Sequence, residues 1–251
     1  MADRELAGAV AVVTGSRRGL GRAIALQLGA AGAAVVVNSR TSREAAQAVA
    51  DEIGSAGGRA VVHLADVTVQ DQAEGLIAAA LAAFGRIDVL VNNVAQRVTG
   101  PVTGLSLDDW RGVLSSALDS TFLCIRAAVP FLAAGGRGAV VNIGGGSGHA
   151  GVANRAAVAA SKAGVAGMSA ALAVELAPRG ITVNCVAPGY IEAADRQREM
   201  PEQFRIHPIP LARPGAPDDV ALMVRHLCGP AGRYVTGQTI HVNGGWHVTM
   251  S

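Results

Sequence analysis

The first residues of this chain whose types and spacing could do chemistry form a glycine-rich turn near its start. The segment Thr14-Gly15-Ser16-Arg17-Arg18-Gly19-Leu20-Gly21 follows an apolar run at 9–13 and opens a stretch with helical periodicity. Glycines in such a turn let the backbone approach a pyrophosphate, whose negative charge then lies at the N-terminus of the helix. A GxxxGxG spacing alone also occurs in simple tight turns, but its position directly after a buried strand favours a nucleotide-binding loop.

Basic residues around this loop indicate which dinucleotide it would hold. Proteins of this type that use NAD usually carry an acidic residue after the second strand, where it binds the ribose hydroxyls. This chain has Asn38-Ser39-Arg40 there, and Arg17 and Arg18 in the loop itself. Guanidinium groups make charge-assisted, bidentate hydrogen bonds to a 2′-phosphate, and we expect no carboxylate there to repel it. The pattern favours NADP(H); the alternative is that these arginines are ordinary solvated surface residues.

Alternating apolar runs and amphipathic stretches predict the elements that position this loop. Seven runs have the character of strands buried on both faces, at 9–13, 34–37, 60–64, 87–91, 139–143, 181–186 and 239–242. Helical patterns lie between them at 20–29, 44–53, 73–84, 107–132, 156–176 and 218–227. This alternation predicts an α/β fold: one Rossmann-type, doubly wound domain of about seven parallel strands with helices on both faces. We expect the single domain to span 1–251, with an irregular substrate lid at about 190–217.

The composition narrows the class of protein further. Apolar residues make up 50% of the chain and charged residues 16%, while the aromatic share of 3% predicts a core of Val, Ala, Leu and Ile. The net charge is +2, without a basic run or an aromatic platform, so a nucleic-acid partner is not expected. Cys124, Cys185 and Cys228 lie far apart, and neither a signal-peptide pattern nor a run of about 18 apolar residues is present. These features predict a cytoplasmic protein without a membrane span.

The motifs taken together resemble those of the short-chain dehydrogenase/reductase family, of the type that includes the β-ketoacyl-carrier-protein reductases. The resemblance covers essentially the whole chain. It rests on the glycine-rich turn and on six further motifs: Asp66-Val67, Asn92-Asn93-Val94-Ala95, Asn142-Ile143-Gly144, Ser161-Lys162-Ala163-Gly164, Val183-Asn184-Cys185-Val186-Ala187-Pro188-Gly189 and the tail at 237–245.

This resemblance implies which residues would contact the cofactor. Asp66 and Val67 would meet the adenine, Asn93 and Ala95 the ribose side, and Ile191 the nicotinamide end. The complete predicted set is Gly15, Arg17, Arg18, Gly19, Leu20, Gly21, Asn38, Ser39, Arg40, Asp66, Val67, Asn93, Ala95, Lys162, Pro188, Gly189 and Ile191. The tail at 211–246 resembles the family's subunit-contact region, which implies a homotetramer or a dimer.

The residues at the expected catalytic positions differ from those of the family. Its reductases resemble one another in a Tyr-x-x-x-Lys pair on a helix, a Ser about thirteen residues before the Tyr, and an Asn on the preceding long helix. Residues four apart share a helix face, so the ammonium lowers the pKa of the phenol, which then exchanges a proton with the substrate oxygen. Here Lys162 is present, but Val158, Gly145 and Ala117 stand at the Tyr, Ser and Asn positions. Ala193 likewise stands where a Thr usually meets the carboxamide of the cofactor.

Other polar residues could populate the altered pocket. Ser147 lies two residues beyond the expected Ser, and with Lys162 it is the candidate catalytic residue, unless its hydroxyl is satisfied within the loop. Candidate substrate contacts are His149, Asn154, Arg155 and Tyr190, although polar loop residues often face solvent. Five further histidines show no ligand spacing and are predicted to be structural or exposed, so no metal is expected: His63, His207, His226, His241 and His247.

Three functions remain open from the sequence. The first is an NADP(H)-dependent oxidoreductase that acts on a small organic substrate, with a carbonyl, hydroxyl or activated acceptor group, without the Tyr proton donor. The second is a redox-neutral lyase, isomerase, dehydratase or cyclase, in which His149, Arg155 or Tyr190 does the acid–base work. The third is a non-catalytic binding or regulatory subunit, because fold alone does not fix function.

Overall fold

The computed structural model describes residues 4–192, 204 and 207–247. All of its strands lie in one sheet, in the order β3-β2-β1-β4-β5-β6-β7, and every neighbouring pair is parallel. The prediction of a doubly wound parallel sheet is thereby confirmed. The strands are β1 (Val10–Val13), β2 (Ala34–Ser39), β3 (Arg59–Leu64), β4 (Val89–Asn92), β5 (Ala139–Ile143), β6 (Thr182–Pro188) and β7 (Thr239–Val242).

The helices match the predicted helical patterns, with one correction. They are α1 (Gly19–Ala30), α2 (Arg43–Ser55), α3 (Gln70–Phe84), α4 (Leu107–Leu114), α5 (Ser120–Ala134), α6 (Ala156–Leu176) and α7 (Pro217–Cys228). The stretch predicted as one helix at 107–132 is divided by a π-helical turn, Ser115–Asp119. The hydroxyls of Ser120 and Thr121 donate to the carbonyls of Ser116 and Ala117 at 2.6 and 2.7 Å. Such back-bonding competes with the regular helical ladder, and it accompanies the wider turn.

Two aliphatic cores cover the sheet because successive strand residues point to opposite faces. On β1, Ala11 and Val13 face α1, α2 and α7, whereas Val12 faces α3, α5 and α6. Ile24 on α1 and Leu76 on α3 are fully buried. Burial of each such side chain stabilises the fold by about 1.5–3 kcal/mol. These two cores fix the helices on the sheet and so fix the loops that follow the strands.

The strand order reverses next to β1, which pairs with β2 on one side and with β4 on the other. In doubly wound sheets, the loops at the carboxyl ends of the strands diverge at such a point and leave a crevice. Each predicted cofactor residue on a loop follows the carboxyl end of β1, β2, β3, β4 or β6, or forms that end. The chain order of the strands therefore brings these residues to one edge of the sheet.

Two helical regions, Leu107–Ala134 and Ala156–Arg179, are long and apolar enough to cross a membrane by length and composition alone. Each packs one side onto the sheet, and 39% of each apolar window is buried in the protein. Core helices of α/β proteins have the same character, so these two helices are weak evidence for a membrane span.

Candidate cofactor cleft and active site

The glycine-rich loop between β1 and α1 has the close backbone packing that a dinucleotide cradle requires. A Cβ atom added at Gly21 would lie 2.4 Å from the carbonyl oxygen of Gly15 and 2.6 Å from Nδ2 of Asn93. No side chain fits at this position, so α1 can approach the loop only because residue 21 is glycine. Arg18 makes no side-chain cap at the N-terminus of α1. The first amide groups of α1 are thus available to an anion, as the sequence predicts.

Two amide side chains, buried Asn38 and half-buried Asn93, hold this loop in place. The Gly15 N–H donates to Oδ1 of Asn38 at 3.0 Å, while Nδ2 of Asn38 donates to the carbonyls of His63 and Ala65. Nδ2 of Asn93 donates to the carbonyls of Thr14 and Gly15 at 3.1 and 3.2 Å. Both amides were predicted to contact the cofactor, but their side chains are engaged by backbone groups. Their geometry assigns them a positioning role behind the loop.

The basic residues lie on the solvent side of the same loop. Arg18 and Arg40 are exposed, and Arg17 is half-buried. Ser39 is buried and Val67 is 2% exposed, so the side chains of both belong to the wall of the cleft. The guanidinium groups are therefore the parts of this region that a 2′-phosphate could reach.

One acidic residue, Asp66 in the loop after β3, does lie close to the guanidinium group of Arg40. Nη1 of Arg40 lies 3.8 Å from Oδ2 of Asp66, whose other oxygen accepts hydrogen bonds from the N–H and hydroxyl of Thr68. The sequence reasoning considered only the loop and β2, and it missed this carboxylate because Asp66 follows β3. The side chain of Arg40 is 73% exposed and that of Asp66 is 28% exposed. Such an exposed pair is weak, so Arg40 can turn to a phosphate at little cost.

The lysine of the catalytic pattern is completely enclosed. Lys162 is 5% exposed, and its Nζ donates to the carbonyl of Ile143 at 2.7 Å. Burial, with a smaller contribution from the positive charge of Arg97, lowers the pKa of Lys162 to about 8, while Cys185 opposes the change. At neutral pH the group is still an ammonium. The fold therefore maintains a buried cation at the carboxyl end of β5.

The positions of the missing catalytic side chains are closed by apolar packing or left small. Val158 is 4% exposed and packs with Val113 and Ala157, in contact with Val98, Leu105 and Trp110. Ala117 is 1% exposed and lies within the π-helical turn. No hydroxyl or amide stands at either position, so neither can exchange a proton with a substrate.

The loop after β5 keeps a hydroxyl close to the position of the missing serine. A Cβ atom added at Gly145 would lie 3.9 Å from Oγ of Ser147 and 3.6 Å from Cγ of Lys162. These are ordinary contact distances, so a serine side chain would fit at Gly145. Ser147 is half-buried, and its hydroxyl lies beside the volume that such a side chain would occupy. Position 145 therefore lies close to both Ser147 and Lys162, and their catalytic role stays a prediction.

The four predicted substrate contacts differ in their surroundings. Asn154 is exposed and lies in a turn with φ 63, and its carbonyl accepts the N–H of Gly100 from another loop at 2.9 Å. Arg155 is half-buried at the N-terminus of α6. Tyr190 follows β6, and its ring lies 5.1 Å from the ring of Phe204. His149 ends the loop after β5 and is half-buried.

An aromatic array extends from Tyr190 across the site. The ring of Phe204 lies 4.9 Å from that of Trp246, and Trp246 lies 3.1 Å from a Cβ atom added at Gly146. The chain contains only eight Phe, Tyr and Trp residues, so three of them meet beside the loop that carries Ser147. Sequence reasoning missed Phe204 and Trp246 because they lie 42 positions apart.

Three histidines from separate segments of the sequence form a cluster, which the sequence prediction did not include. The rings of His149 and His247 both contact that of His241, with centroids 4.7 and 4.9 Å apart. Spacing in the sequence could not reveal this, because His149 follows β5 while His241 lies on β7. Among the described residues, no group of three or more His, Cys, Asp and Glu side chains could hold a metal ion.

The end of the predicted cofactor site near β6 is tightly packed. The Gly189 N–H donates to the carbonyl of Val242, and a Cβ atom at Gly189 would lie 2.7 Å from Cβ of Asn243. Ile191 forms an isolated bridge with Gly215, and Pro188 ends β6. Of the predicted lid at about 190–217, residues 193–203 and 205–206 lie outside the described residues, and so does Ala193.

Comparison with known proteins places this arrangement among reductases. A family model described as enoyl-(acyl carrier protein) reductase matches residues 15–247. The chain is 42% identical to a 3-oxoacyl-[acyl-carrier-protein] reductase of Synechocystis over 241 residues, which cover 96% of this chain and 97% of the relative. It is 38% identical to a (2S)-[(R)-hydroxy(phenyl)methyl]succinyl-CoA dehydrogenase subunit of Thauera aromatica, over 94% of this chain and 95% of that one. A dehydrogenase/reductase structure from Sinorhizobium meliloti superposes with a TM-score of 0.93 at 35% identity and covers 98% of each chain.

Proposed function

The chain belongs to the short-chain dehydrogenase/reductase family, and from that premise we propose that it is an NADP(H)-dependent oxidoreductase that works without the tyrosine proton donor. Its substrate is a small organic molecule with a carbonyl, a hydroxyl or an activated acceptor group. Relatives of this chain are named as reductases of 3-oxoacyl groups on acyl carrier protein, which makes a 3-oxoacyl thioester the first substrate to test.

Lys162 is the observation that carries this proposal. Burial of an ammonium group is unfavourable unless a partner or a function compensates for it. Here the polar groups that would surround it are absent at Val158 and Gly145, yet the lysine is retained and enclosed. A site that had lost all function would have no reason to keep this cation. Its retention, together with the intact glycine loop, supports continued binding of a nicotinamide nucleotide.

The residues present fit NADP(H). The close approach of Gly21 to Gly15 leaves room for a pyrophosphate beside the N-terminus of α1. Arg17, Arg18 and Arg40 would bind the 2′-phosphate, and Lys162 would hold the ribose next to the nicotinamide. When bound, the nicotinamide supplies or accepts the hydride, and the protein contributes mainly position and electrostatics.

Loss of the phenol sets a limit on the chemistry. A positioned general acid contributes about 10²–10⁴-fold to a rate. Ser147 can orient a substrate oxygen near Lys162, but a serine hydroxyl is a poor acid at neutral pH. The site therefore suits a substrate whose acceptor is already activated, or one that takes its proton from water.

Titration of the purified protein with NADPH and NADH at pH 7 tests the cofactor. We expect binding of NADPH at least tenfold tighter than that of NADH, because only NADPH offers a phosphate to the arginines. Equal affinity for both, or no binding of either, contradicts the proposal.

Turnover with NADPH deuterated at C4 tests the reaction. Transfer of the label to a product of a 3-oxoacyl thioester or a quinone-like acceptor supports oxidoreduction. Turnover without label transfer supports a redox-neutral enzyme instead.

The double variant Val158→Tyr with Gly145→Ser tests the missing proton donor. It restores the family's tyrosine acid and its serine, and the serine side chain fits the space at Gly145. We expect this variant to reduce simple carbonyl compounds about 10²-fold or more faster than the natural chain.

A second candidate function is that of a non-catalytic binding or regulatory subunit. The apolar packing around Val158 favours it, because the space of a proton donor is filled as part of a small core. The Thauera relative is named as a subunit of its dehydrogenase. Absence of label transfer from every substrate, combined with specific capture of another family member, would favour this function.

We also propose a homotetramer or a dimer in the cytoplasm. Phe122 and Phe131 on α5 and Val174 on α6 are exposed apolar side chains on the two apolar helical regions. If these helix faces are buried between subunits, their apolar composition is explained by subunit contact, and no membrane is needed to cover them.

A further inference from the structure

Three separate segments of the chain each bring one histidine ring to a common point. His149 ends the loop after β5, His241 lies on β7, and His247 follows it by six residues. Ring centroids lie 4.7 Å apart for His149 and His241, 4.9 Å for His241 and His247, and 6.3 Å for His149 and His247. We call these three residues the imidazole cluster. Nothing in the cofactor site or the proposed chemistry requires it.

The imidazole cluster lies on the face of the sheet that α6 covers. Ile240 and Val242 pack into the core against α1 and α7, so the side chain of His241 between them points to the other face. Lys162 belongs to α6 on that face, and His241 pairs in register with Ala187 on β6. The cluster therefore adjoins the altered active site.

Ring nitrogens in this region are buried without hydrogen bonds. Across the described residues, five buried side-chain nitrogen or oxygen atoms lack a partner, and three of them are His149 Nε2, His241 Nδ1 and Trp246 Nε1. Buried polar groups without partners weaken the packing that buries them. The contact between these segments is therefore easily lost when the balance of charge changes.

The segment at 243–247, which we call the C-terminal turn, is held over the active-site loop by few polar contacts. Asn243 accepts the N–H of Gly245 at 2.9 Å and donates to the carbonyl of His247 at 3.3 Å, which shapes the turn itself. The ring of Trp246 covers Gly146, and it contacts the ring of Phe204 in a tilted arrangement. Packing rather than hydrogen bonding thus places Trp246 beside the loop that carries Ser147.

Protonation of the cluster opposes this packing. Burial lowers the pKa of His149 and of His241 from the ordinary value of 6.5, and the neighbouring imidazoles lower both further. Charged or titratable groups on the adjoining elements are Arg155 at the N-cap of α6, Lys162 and Glu175 on α6, and Cys185 on β6, whose pKa is raised by burial. Among the groups that affect the pKa of His149 or His241 in the described part of the chain, none is a carboxylate.

From this geometry we infer that the C-terminal turn is an acid-released cover of the active site, with the imidazole cluster as its sensor. At pH 7 and above, the buried rings of His149 and His241 are neutral, and Trp246 stays on Gly146. As the pH falls below 6.5, protons bind to these two rings, positive charge accumulates without a carboxylate among the described groups that affect them, and the turn separates from the loop. This regulation acts on the site of the proposed function, but the release itself needs neither nucleotide nor substrate.

The direction of this pH dependence follows from the linkage between proton binding and release of the turn. A histidine whose pKa is lowered in the covered state binds protons more tightly when released, so the covered state is favoured above pH 6.5 and disfavoured below it. Between the pKa of a histidine in the covered state and its pKa in the released state, each proton taken up changes the ratio of released to covered protein. The change is up to about tenfold per pH unit.

Tryptophan fluorescence measures the release directly. The chain has two tryptophans, and Trp110→Phe leaves Trp246 as the sole reporter. We expect the emission maximum of this variant to move to longer wavelength, and acrylamide quenching to increase several-fold, with a midpoint below pH 6.5. Far-UV circular dichroism should stay constant across the transition, because the sheet and helices do not unfold.

Variants in the Trp110→Phe background assign the sensor. His149→Asn with His241→Asn should abolish the transition, while His226→Asn, on the exposed side of α7, should leave it unchanged. His149→Asn alone removes one of the two buried rings and should make the transition shallower, which keeps the test decisive if the double variant does not fold. Flat emission and quenching from pH 8 to 5, or an unchanged transition without the buried histidines, would overturn the inference. The NADPH titration at pH 7 is independent of either result.

Discussion

At the scale of single residues, the departures from the family pattern form a consistent set. Val158 is part of an apolar cluster, Ala117 is buried in the π-helical turn, and Gly145 leaves a space beside Ser147. Lys162 remains, held by the carbonyl of Ile143. Under the proposed function, such a site would bind a nucleotide through its cation but would lack a side chain that protonates an ordinary carbonyl oxygen.

Arg40 should decide much of the preference for NADPH. Arg40→Ala removes a charge-assisted contact of about 1.5–3 kcal/mol, so we expect the affinity for NADPH to fall about tenfold or more. Binding of NADH should hardly change, because it has no 2′-phosphate. Isothermal titration with both nucleotides measures this. Arg126→Ala is the matched control, since Arg126 is an exposed arginine on α5 that pairs with Glu74. An equal loss for NADPH and NADH would show that Arg40 does not read the phosphate.

Lys162 should make nucleotide binding depend on pH. Burial lowers its pKa to about 8, so the ammonium is present below that pH and is lost as the pH rises through it. We expect the affinity for NADPH to decrease between pH 7 and pH 9 in the natural chain. Lys162→Met should bind weakly at both values and show no such dependence. A natural chain with constant affinity over this range would argue against a role for the Lys162 charge.

At the scale of elements, the loop between β1 and α1 and the turn between α4 and α5 show two kinds of local control. Residue 21 must be glycine because the backbone of the loop occupies the space of a side chain. The π-helical turn, in contrast, is a matter of side-chain hydroxyls that bond back to the helix. The glycine spacing in the sequence identifies the loop between β1 and α1. The π-helical turn is not visible in the sequence, because it interrupts an apolar pattern that predicts one continuous helix.

Gly21→Ala tests the close approach of α1. Its Cβ would overlap with Gly15 and Asn93, so we expect a loss of about 1–3 kcal/mol in the free energy of unfolding and loss of NADPH binding. Gly54→Ala is the control, because Gly54 lies in α2 with nothing within 4 Å of an added Cβ. That variant should gain roughly 0.5–1 kcal/mol from the higher helix propensity of alanine. Urea unfolding and nucleotide titration measure both effects; full binding by Gly21→Ala would contradict the cradle.

At the scale of the whole molecule, two helices, α5 and α6, leave large apolar side chains exposed. Val174 is 79% exposed on α6, and Phe122 and Phe131 on α5 are also exposed. A monomer rarely keeps such a patch in water, so these faces support the proposed association of subunits.

Val174→Glu should weaken that association. A charge at the centre of an apolar contact is unfavourable, so we expect a shift toward smaller species in size-exclusion chromatography with light scattering. Val102→Glu provides the comparison, since Val102 is 73% exposed but lies outside α5 and α6. If the natural chain elutes as a monomer at micromolar concentration, the proposed oligomer is wrong.

The sequence by itself determined the α/β fold, the glycine-rich loop and the loss of the catalytic tyrosine. Each depends on residues that are close together in the chain: apolar runs at strand length, glycines at fixed spacing, and Val158 four positions before Lys162. The tertiary structure alone decided which distant residues meet. It joined Arg40 to Asp66 across β2 and β3, and it assembled His149, His241 and His247 from the ends of β5 and β7. The reason is physical: local patterns fix the type of each element, whereas contacts between loops depend on strand order and on which face each side chain takes.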